Sequence, residues 1–390
     1  MKVPRTNLNC VQQLCTLVDA LLPEENPPQE FEQLEKIYIF CLVWSFGGNL
    51  VAEDRDRFDQ FLKGSSNILP PSSSYYDNII ELANQSWVPW SRKVEPYIPP
   101  EDGKFSKILV PTVDTMRYSW LLEKVMDIRR PCMFVGDSGT AKSVTIFNKL
   151  KKLNPEGFIV LNINFSSRTN SRICQSTIEE NVEKRGFFKQ YGPTGGRKLI
   201  VFVDDLHMPR VDIYGTQQPI AFLKFLIERN NIYERGGELE LREIVDTQYI
   251  GAMAPPGGGN ANVDPRFLSL FTVFTLLPPS EHAIETIYTQ ILAKHLQQRD
   301  YEEELVSYVP PKMARATILL YQQICERLPR TPIKFHYIFN LRDLSRVYEG
   351  MCRSTLDKFP TKESLVKLWR NECMRIFCDR LPPPPDKTPF

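Results

Sequence analysis

The sequence predicts an α/β protein: a doubly wound parallel sheet with inserted β-hairpins, flanked by all-helical blocks. Three observations predict it. Between residues 108 and 280, short β-branched runs alternate with amphipathic stretches, the pattern of strands joined by helical crossovers. A glycine-rich turn, GDSGTAKS over 136–143, stands where one of those strands hands over to a helix. Before residue 66 and after residue 280 the strand signal disappears and apolar residues recur at helical spacing.

The elements follow in order. Residues 8–22 carry apolar side chains at helical spacing, and Pro23 stops the run. A second helix is expected from Gln29 to Phe46, breaking at Gly47 and Gly48, and a third over Ala52–Lys63. Residues 66–107 are rich in Ser, Pro, Tyr and Trp and too long for an ordinary loop. Their aromatics predict an ordered connector packed over a surface. Strands are expected at Cys132–Val135, Phe158–Phe165, Leu199–Val203, Thr247–Ala252 and Val273–Leu276. Helices fall at 115–128, 142–153, 171–183 and 217–230. Lys184–Lys198 and Tyr233–Val245, each turning on glycines, read as inserted hairpins. The closing block carries helices at 281–297, 311–327, 340–354 and 361–379, and the tail at 382–390 is a stiff proline-rich exit.

Composition narrows the function. Lys and Arg number 48 against 47 Asp and Glu, a net charge of +1, so a generic grip on nucleic acid or acidic lipid is not expected. No apolar run approaches a membrane span, and the N-terminus has no secretory apolar region. Nine cysteines without a C-x-x-C pair point to reduced core thiols rather than zinc or disulfides.

The chemistry concentrates in four places. In the 136–143 turn, backbone N–H groups and the following helix N-terminus converge on phosphate oxygens. Lys142 adds positive charge for the β- and γ-phosphates, and Ser143 offers a hydroxyl to Mg²⁺. Ala141 stands where such loops usually place glycine, and its methyl is tolerated if φ stays negative. The apolar run 199–203 ends in Asp204 and Asp205. At such a strand end the first acid helps to hold Mg²⁺ and the second orients the attacking water. Asp205 is one methylene shorter than the usual Glu, and a misplacement of about 1 Å costs on the order of 100-fold in rate. Arg266 follows Pro265 after a Gly/Pro loop and is either solvated or offered to a phosphate on a neighbouring module. Arg342, in NLRDLSR over 340–346, either reaches a nucleotide or pairs with a local acid such as Asp343. Asn340 is the expected N-cap of its helix.

Taken in order, ILVPTVDT (108–115), GDSGTAKS (136–143), VDDLHMP (203–209), PPGGG (255–259) and PRFL (265–268) resemble an AAA+ module, most closely the third module of axonemal dynein heavy chains. The segment KIYIFCLVWSFGG over 36–48 is similar to the helical lid of the preceding module. The resemblance implies a division into a preceding lid (1–65), a connector (66–107), a P-loop core (108–280), a second lid (281–381) and the tail. It implies that Leu109, Val110 and Thr112 line the adenine pocket. The nucleotide loop would be Gly136, Asp137, Ser138, Gly139, Thr140, Ala141, Lys142, Ser143 and Val144. Asp204 and Asp205 would be the catalytic acid pair, with Ser143 and Asp204 serving Mg²⁺ through ATP or ADP. Arg342 would be the sensor-2 arginine, and Arg266 the arginine finger toward the preceding module. The sensor-1 position falls on Ala254, so hydrolysis is expected to be weak and the module to act as a regulatory nucleotide switch.

Such motors also need a microtubule-binding stalk, a linker and six ring modules, which 390 residues do not hold; a fragment or short product is expected. Implied partners are neighbouring ring modules and, through the full-length motor, intermediate and light chains and microtubules. The implied location is cytoplasm and cytoskeleton, in the axoneme of a cilium or flagellum. The rival readings are a purely structural module without turnover, an unrelated AAA+ remodelling ATPase, and a P-loop kinase.

Overall fold

The computed structural model of the chain describes residues 3–22, 27–28, 30–81, 84, 86–100, 105, 108–186, 189–257, 261–329, 331, 334 and 336–381. The tail at 382–390 and the glycines at 258 and 259 lie outside them. The chain divides into two compact units, Met1–Lys93 with Thr115–Pro278 and Val94–Asp114 with Pro279–Phe390.

The first unit opens with helices α1 (Asn7–Leu21), α2 (Phe31–Ser45) and α3 (Ala52–Ser65). Thr6 starts α1 by a capping box, its hydroxyl accepting from Asn9 N while the Asn9 side chain accepts from Thr6 N. Position 47, just after α2, must be glycine, because a Cβ there would run into the Tyr76 hydroxyl and the Phe58 ring. The connector contains a hairpin that the sequence did not signal, β1 (Asn78–Glu81) antiparallel to β2 (Ser86–Pro89). Its aromatics pack as expected. Trp87 lies 6.2 Å from Phe40 between ring centres, and Trp90 lies 5.7 Å from Trp120 on α4 (Val113–Asp127).

Strand and helix then alternate: β3 (Cys132–Val135), α5 (Lys142–Lys151), β4 (Phe158–Asn164), α6 (Ser171–Glu179), β5 (Val182–Arg185), β6 (Gln190–Pro193), β7 (Lys198–Asp204), α7 (Gln218–Arg229), β8 (Asn231–Tyr233), β9 (Leu241–Ile244), β10 (Thr247–Met253), α8 (Pro265–Leu268) and β11 (Thr272–Thr275). Five strands form one parallel sheet in the order β11-β3-β10-β7-β4. Its central strands are covered on both faces, which is why they read as unbroken apolar runs. The two inserted hairpins do not stand apart. They join through a short parallel β6–β9 pairing into a second sheet, β5-β6-β9-β8.

The sheet edge at β11 is closed by side chains of the N-terminal helices. Val273 on β11 donates its N–H to Gln13 Oε1 at 3.1 Å, and its carbonyl accepts from Gln13 Nε2 at 3.1 Å. The Gln13 amide thus takes the place of a neighbouring strand. Two residues on, the Thr275 carbonyl accepts from Arg55 at 2.8 Å and from the Tyr118 hydroxyl at 2.9 Å. Arg55 is buried, its guanidinium 5.2 Å from the Tyr76 ring centre.

The second unit is helical: α9 (Glu281–Gln298), α10 (Glu303–Arg327), α11 (Leu341–Met351) and α12 (Lys362–Cys373), the last running into a π turn at Met374–Cys378. α10 starts eight residues earlier than the expected 311 and runs through Pro310 and Pro311. Burial of Val309, Pro310, Met313 and Ala314 offsets the hydrogen bonds those prolines cannot make. Tyr288 stacks on Tyr348 at 4.4 Å in the core, which Tyr97 and Val110 join from the 94–114 segment.

Replacing Gln13 by Leu leaves both outward groups of Val273 unpaired. The expected loss of stability is about 2–6 kcal/mol, from about 1–3 kcal/mol for each of the two buried groups left unmet. Four of the five tryptophans, Trp44, Trp87, Trp90 and Trp120, lie in this unit, so urea unfolding followed by tryptophan fluorescence reports it. A loss under about 0.5 kcal/mol, well below the cost of one unmet group, would show that water satisfies the edge instead.

Candidate nucleotide-binding site

The C-terminal ends of β3, β7 and β10 lie side by side. Val135 is level with Met253, and Gly251 with Val203. In open parallel sheets this edge is where ligands bind. Backbone bonds tie the three ends together: Gly136 N donates to Met253 O at 3.2 Å, and Leu206 N to Ala252 O at 3.1 Å.

The loop between β3 and α5 has the composition its backbone demands. A Cβ at Gly136 would stand 2.7 Å from Thr140 Oγ1 and 2.8 Å from the Leu276 carbonyl oxygen, so only glycine fits. Gly139 has φ +89°, in the left-handed region. Thr140 Oγ1 donates to Asp137 O at 2.9 Å. Lys142 Nζ donates to Gly136 O at 2.6 Å and to Asp137 O at 2.8 Å, so the loop wraps around its own lysine. Ser138 is exposed, as is Val144 on α5, and Ser143 is half-buried. The Ser143 hydroxyl makes no hydrogen bond among the described residues.

Ala141 corrects the expectation of a negative φ. It is the N-cap of α5 with φ +60° and ψ 19°. The reason is geometric: the loop must reverse sharply into the helix, and a left-handed residue makes that turn while its carbonyl accepts from Thr145 N at 2.9 Å. For a residue with a Cβ this conformation costs about 1–2 kcal/mol.

At the end of β7, Asp204 is half-buried and Asp205 exposed. Asp205 is also left-handed, φ +55°, and its N–H donates to Asp204 Oδ1 at 3.0 Å. The next turn carries a residue to which the sequence reading gave no role. His207 is buried, and its Nδ1 accepts from Ala254 N at 3.3 Å, at the end of β10. Burial lowers the pKa of this imidazole; the Asp205 carboxylate opposes that, Lys142 reinforces it and Asp204 opposes it. The available signals were its place within VDDLHMP and the scarcity of histidine, four in the chain.

The remaining expected residues stand as follows. Arg266 is exposed on α8; its N–H donates to Asp264 Oδ1 at 2.9 Å, and its guanidinium forms no hydrogen bond or ion pair among the described residues. Leu109, Val110, Thr112 and Arg342 belong to the second unit, the loop and the acid pair to the first. Asn340 caps α11 as expected, accepting from Arg342 N at 2.9 Å. The local pair considered for Arg342 does not form. Asp343 is buried and engaged by Arg380 at 2.6 Å and Arg346 at 3.4 Å, while the Arg342 side chain is exposed.

Glycine at position 141 relieves the left-handed strain at some cost in unfolded-chain entropy. Ala141→Gly is expected to raise stability by about 0.5–1 kcal/mol. Thermal unfolding of the two chains measures it, and a fall in Tm would show that the loop is not left-handed at 141.

Three family models match the chain in succession. Residues 1–92 match the dynein heavy chain AAA lid domain, 97–279 the P-loop containing dynein motor region, and 287–387 the dynein heavy chain ATPase lid domain. Among curated proteins the chain is 47% identical to the Dynein-1-alpha heavy chain of the flagellar inner arm I1 complex from Chlamydomonas reinhardtii, over 99% of this chain and 9% of that protein. It is 45% identical to human Dynein axonemal heavy chain 10, with the same coverage, and 34% identical to human Dynein axonemal heavy chain 2 over 100% of this chain and 9% of that one. The chain therefore spans about a tenth of the length of these relatives. With lid, P-loop region and lid matched in the order in which the fold presents them, the chain belongs to the axonemal dynein heavy chain family.

Proposed function

We propose that this chain is the third AAA+ module of a dynein ring, preceded by the lid of the second, and that it binds ATP or ADP with Mg²⁺ as a regulatory switch. The observation that carries the reading is the 136–143 loop, which sets Lys142 and Ser143 at the strand-end edge where β7 delivers Asp204 and Asp205. The division into lid (1–65), connector (66–107), core (108–280) and lid (281–381) belongs to the same proposal. Leu109, Val110 and Thr112 are assigned to the adenine and Arg342 to the terminal phosphate, as the resemblance implies.

The residues fit Mg²⁺. Ser143 and Asp204 supply hard oxygen donors, and no group of three or more His, Cys, Asp or Glu among the described residues forms a metal cage of its own. Sparse protein ligation suits an ion shared with phosphates and water. Mg²⁺, when bound, supplies charge neutralisation at the β- and γ-phosphates. The chain's residues do the rest. Loop N–H groups cradle the phosphates, Lys142 places charge beside them, and Asp204 orients the ion's water shell.

Hydrolysis is proposed to be weak. Asp205 is one methylene shorter than Glu, and Ala254 presents only a methyl group where a polar side chain would help to place the water. Arg266 is assigned as a finger toward the preceding module's nucleotide, so it does not serve this one. Nucleotide state, not turnover, is then the signal passed to neighbouring ring modules. Microtubules and the intermediate and light chains are partners of the whole motor, placed in the cytoskeleton of a cilium or flagellum. Near-zero net charge supports the absence of nucleic acid from this list, and no helix among the described residues is long and apolar enough to cross a membrane.

Lys142→Ala is expected to weaken binding of a fluorescent nucleotide by roughly 10–100-fold, from about 1–3 kcal/mol for a charged contact. Equal affinity in the two chains would remove the nucleotide assignment. Phosphate release by the 390-residue chain should be at background and unchanged by Asp204→Asn. Robust steady-state release that Asp204→Asn abolishes would replace the switch by an active ATPase.

A further inference from the structure

The end of β10 lacks a polar side chain at Ala254, yet its main chain is held by one. The Ala254 N–H donates to His207 Nδ1 at 3.3 Å. A ring nitrogen that accepts carries no proton, so in the neutral imidazole the proton sits on Nε2. We propose that His207 reads the terminal phosphate of a nucleoside triphosphate in this module, taking through its Nε2–H the place that the side chain of Ala254 leaves vacant. The proposal rests on the nucleotide reading above.

Four observations support it. The ring is only 8% exposed and is anchored on one side by the Ala254 main chain, so its other nitrogen is fixed in direction. Nε2 has no protein partner among the described residues and is not sealed from solvent, which leaves a donor available. The ring senses the charges of Asp205, Lys142 and Asp204, the groups assigned to the phosphates, the ion and the water. The turn that carries His207 is itself fixed, with Leu206 N bonded to Ala252 O at 3.1 Å and Gln217 Nε2 to Pro209 O at 2.8 Å.

The alternative is that His207 only ties β10 to the turn after β7. Two conservative replacements separate the roles, because each keeps a polar group at one ring position. Asn carries an acceptor where Nδ1 stands but reaches no farther; Gln carries an N–H where Nε2 stands. The measurement is the ratio of affinities for a non-hydrolysable ATP analogue and for ADP, each with Mg²⁺, in the full chain. His207→Leu and His207→Asn are both expected to lower the ratio by about 10-fold, the scale of one charge-assisted hydrogen bond. His207→Gln should stay within about 3-fold of the unsubstituted chain, and ADP affinity should be unchanged throughout. If His207→Asn keeps the ratio while His207→Leu loses it, the histidine is a tie alone and the proposal fails. A parallel loss of ADP affinity also overturns it, since the site as a whole would then have been disturbed. Should His207→Leu not fold, the Asn and Gln variants decide by themselves, and equal ratios in those two refute the proposal. An unsubstituted chain that binds neither nucleotide overturns the nucleotide reading itself, and this inference with it.

Discussion

One side-chain amide carries much of the first unit. A parallel sheet must end somewhere, and its last strand exposes a row of unpaired N–H and carbonyl groups. Here that strand is β11, and Gln13 answers Val273 with one acceptor and one donor, as a further strand would. Gln13 Nε2 also reaches Trp44 O at 2.8 Å, so the same amide fixes α2. β11 in turn lies against β3. The Leu276 carbonyl just beyond it is one of the two walls that force glycine at 136. The helical block, the sheet edge and the phosphate loop are thus joined by an unbroken run of contacts.

Most of the architecture was legible because its causes are local. Apolar runs bounded by turn residues located all five core strands, and the strand-loop-helix context located the phosphate loop. Three features were not legible, each for a physical reason. The β1–β2 hairpin hides in a connector whose composition resembles coil, and it is held by Trp87 and Trp90 packing on α2 and α4. The start of α10 was missed because proline disfavours helix locally, while burial of its neighbours favours it globally. The union of the two hairpins into one sheet depends on pairing between Gln190–Tyr191 and Glu243–Ile244, more than fifty residues apart, which no local pattern encodes.

At the candidate site the sequence named the residues of the loop and of the strand end, and it did not name their backbone states. Two residues of the candidate site, Ala141 and Asp205, sit in the left-handed region without being glycine. Both lie where the chain must reverse between a strand end and the next element while holding a functional group in place. Strain of this kind persists only where surrounding bonds over-determine it, and the ties between the ends of β3, β7 and β10 supply them. His207 belongs to the same set, since its partner is a main-chain amide that no sequence motif names.

The distance along the chain between the two halves of the Gln13 clamp has a consequence for biosynthesis. Gln13 and Val273 are separated by 260 residues. At a synthesis rate of about 5–20 residues per second, α1 waits roughly 13–52 seconds for the strand it is built to cap. Throughout that interval Trp44 on α2 lacks the Phe274 ring of β11 on which it packs in the folded chain. A stall after α4 and before β11 lengthens that interval, with Tyr76, Trp87 and Tyr118 already able to cover α2 but nothing yet able to occupy the Gln13 amide.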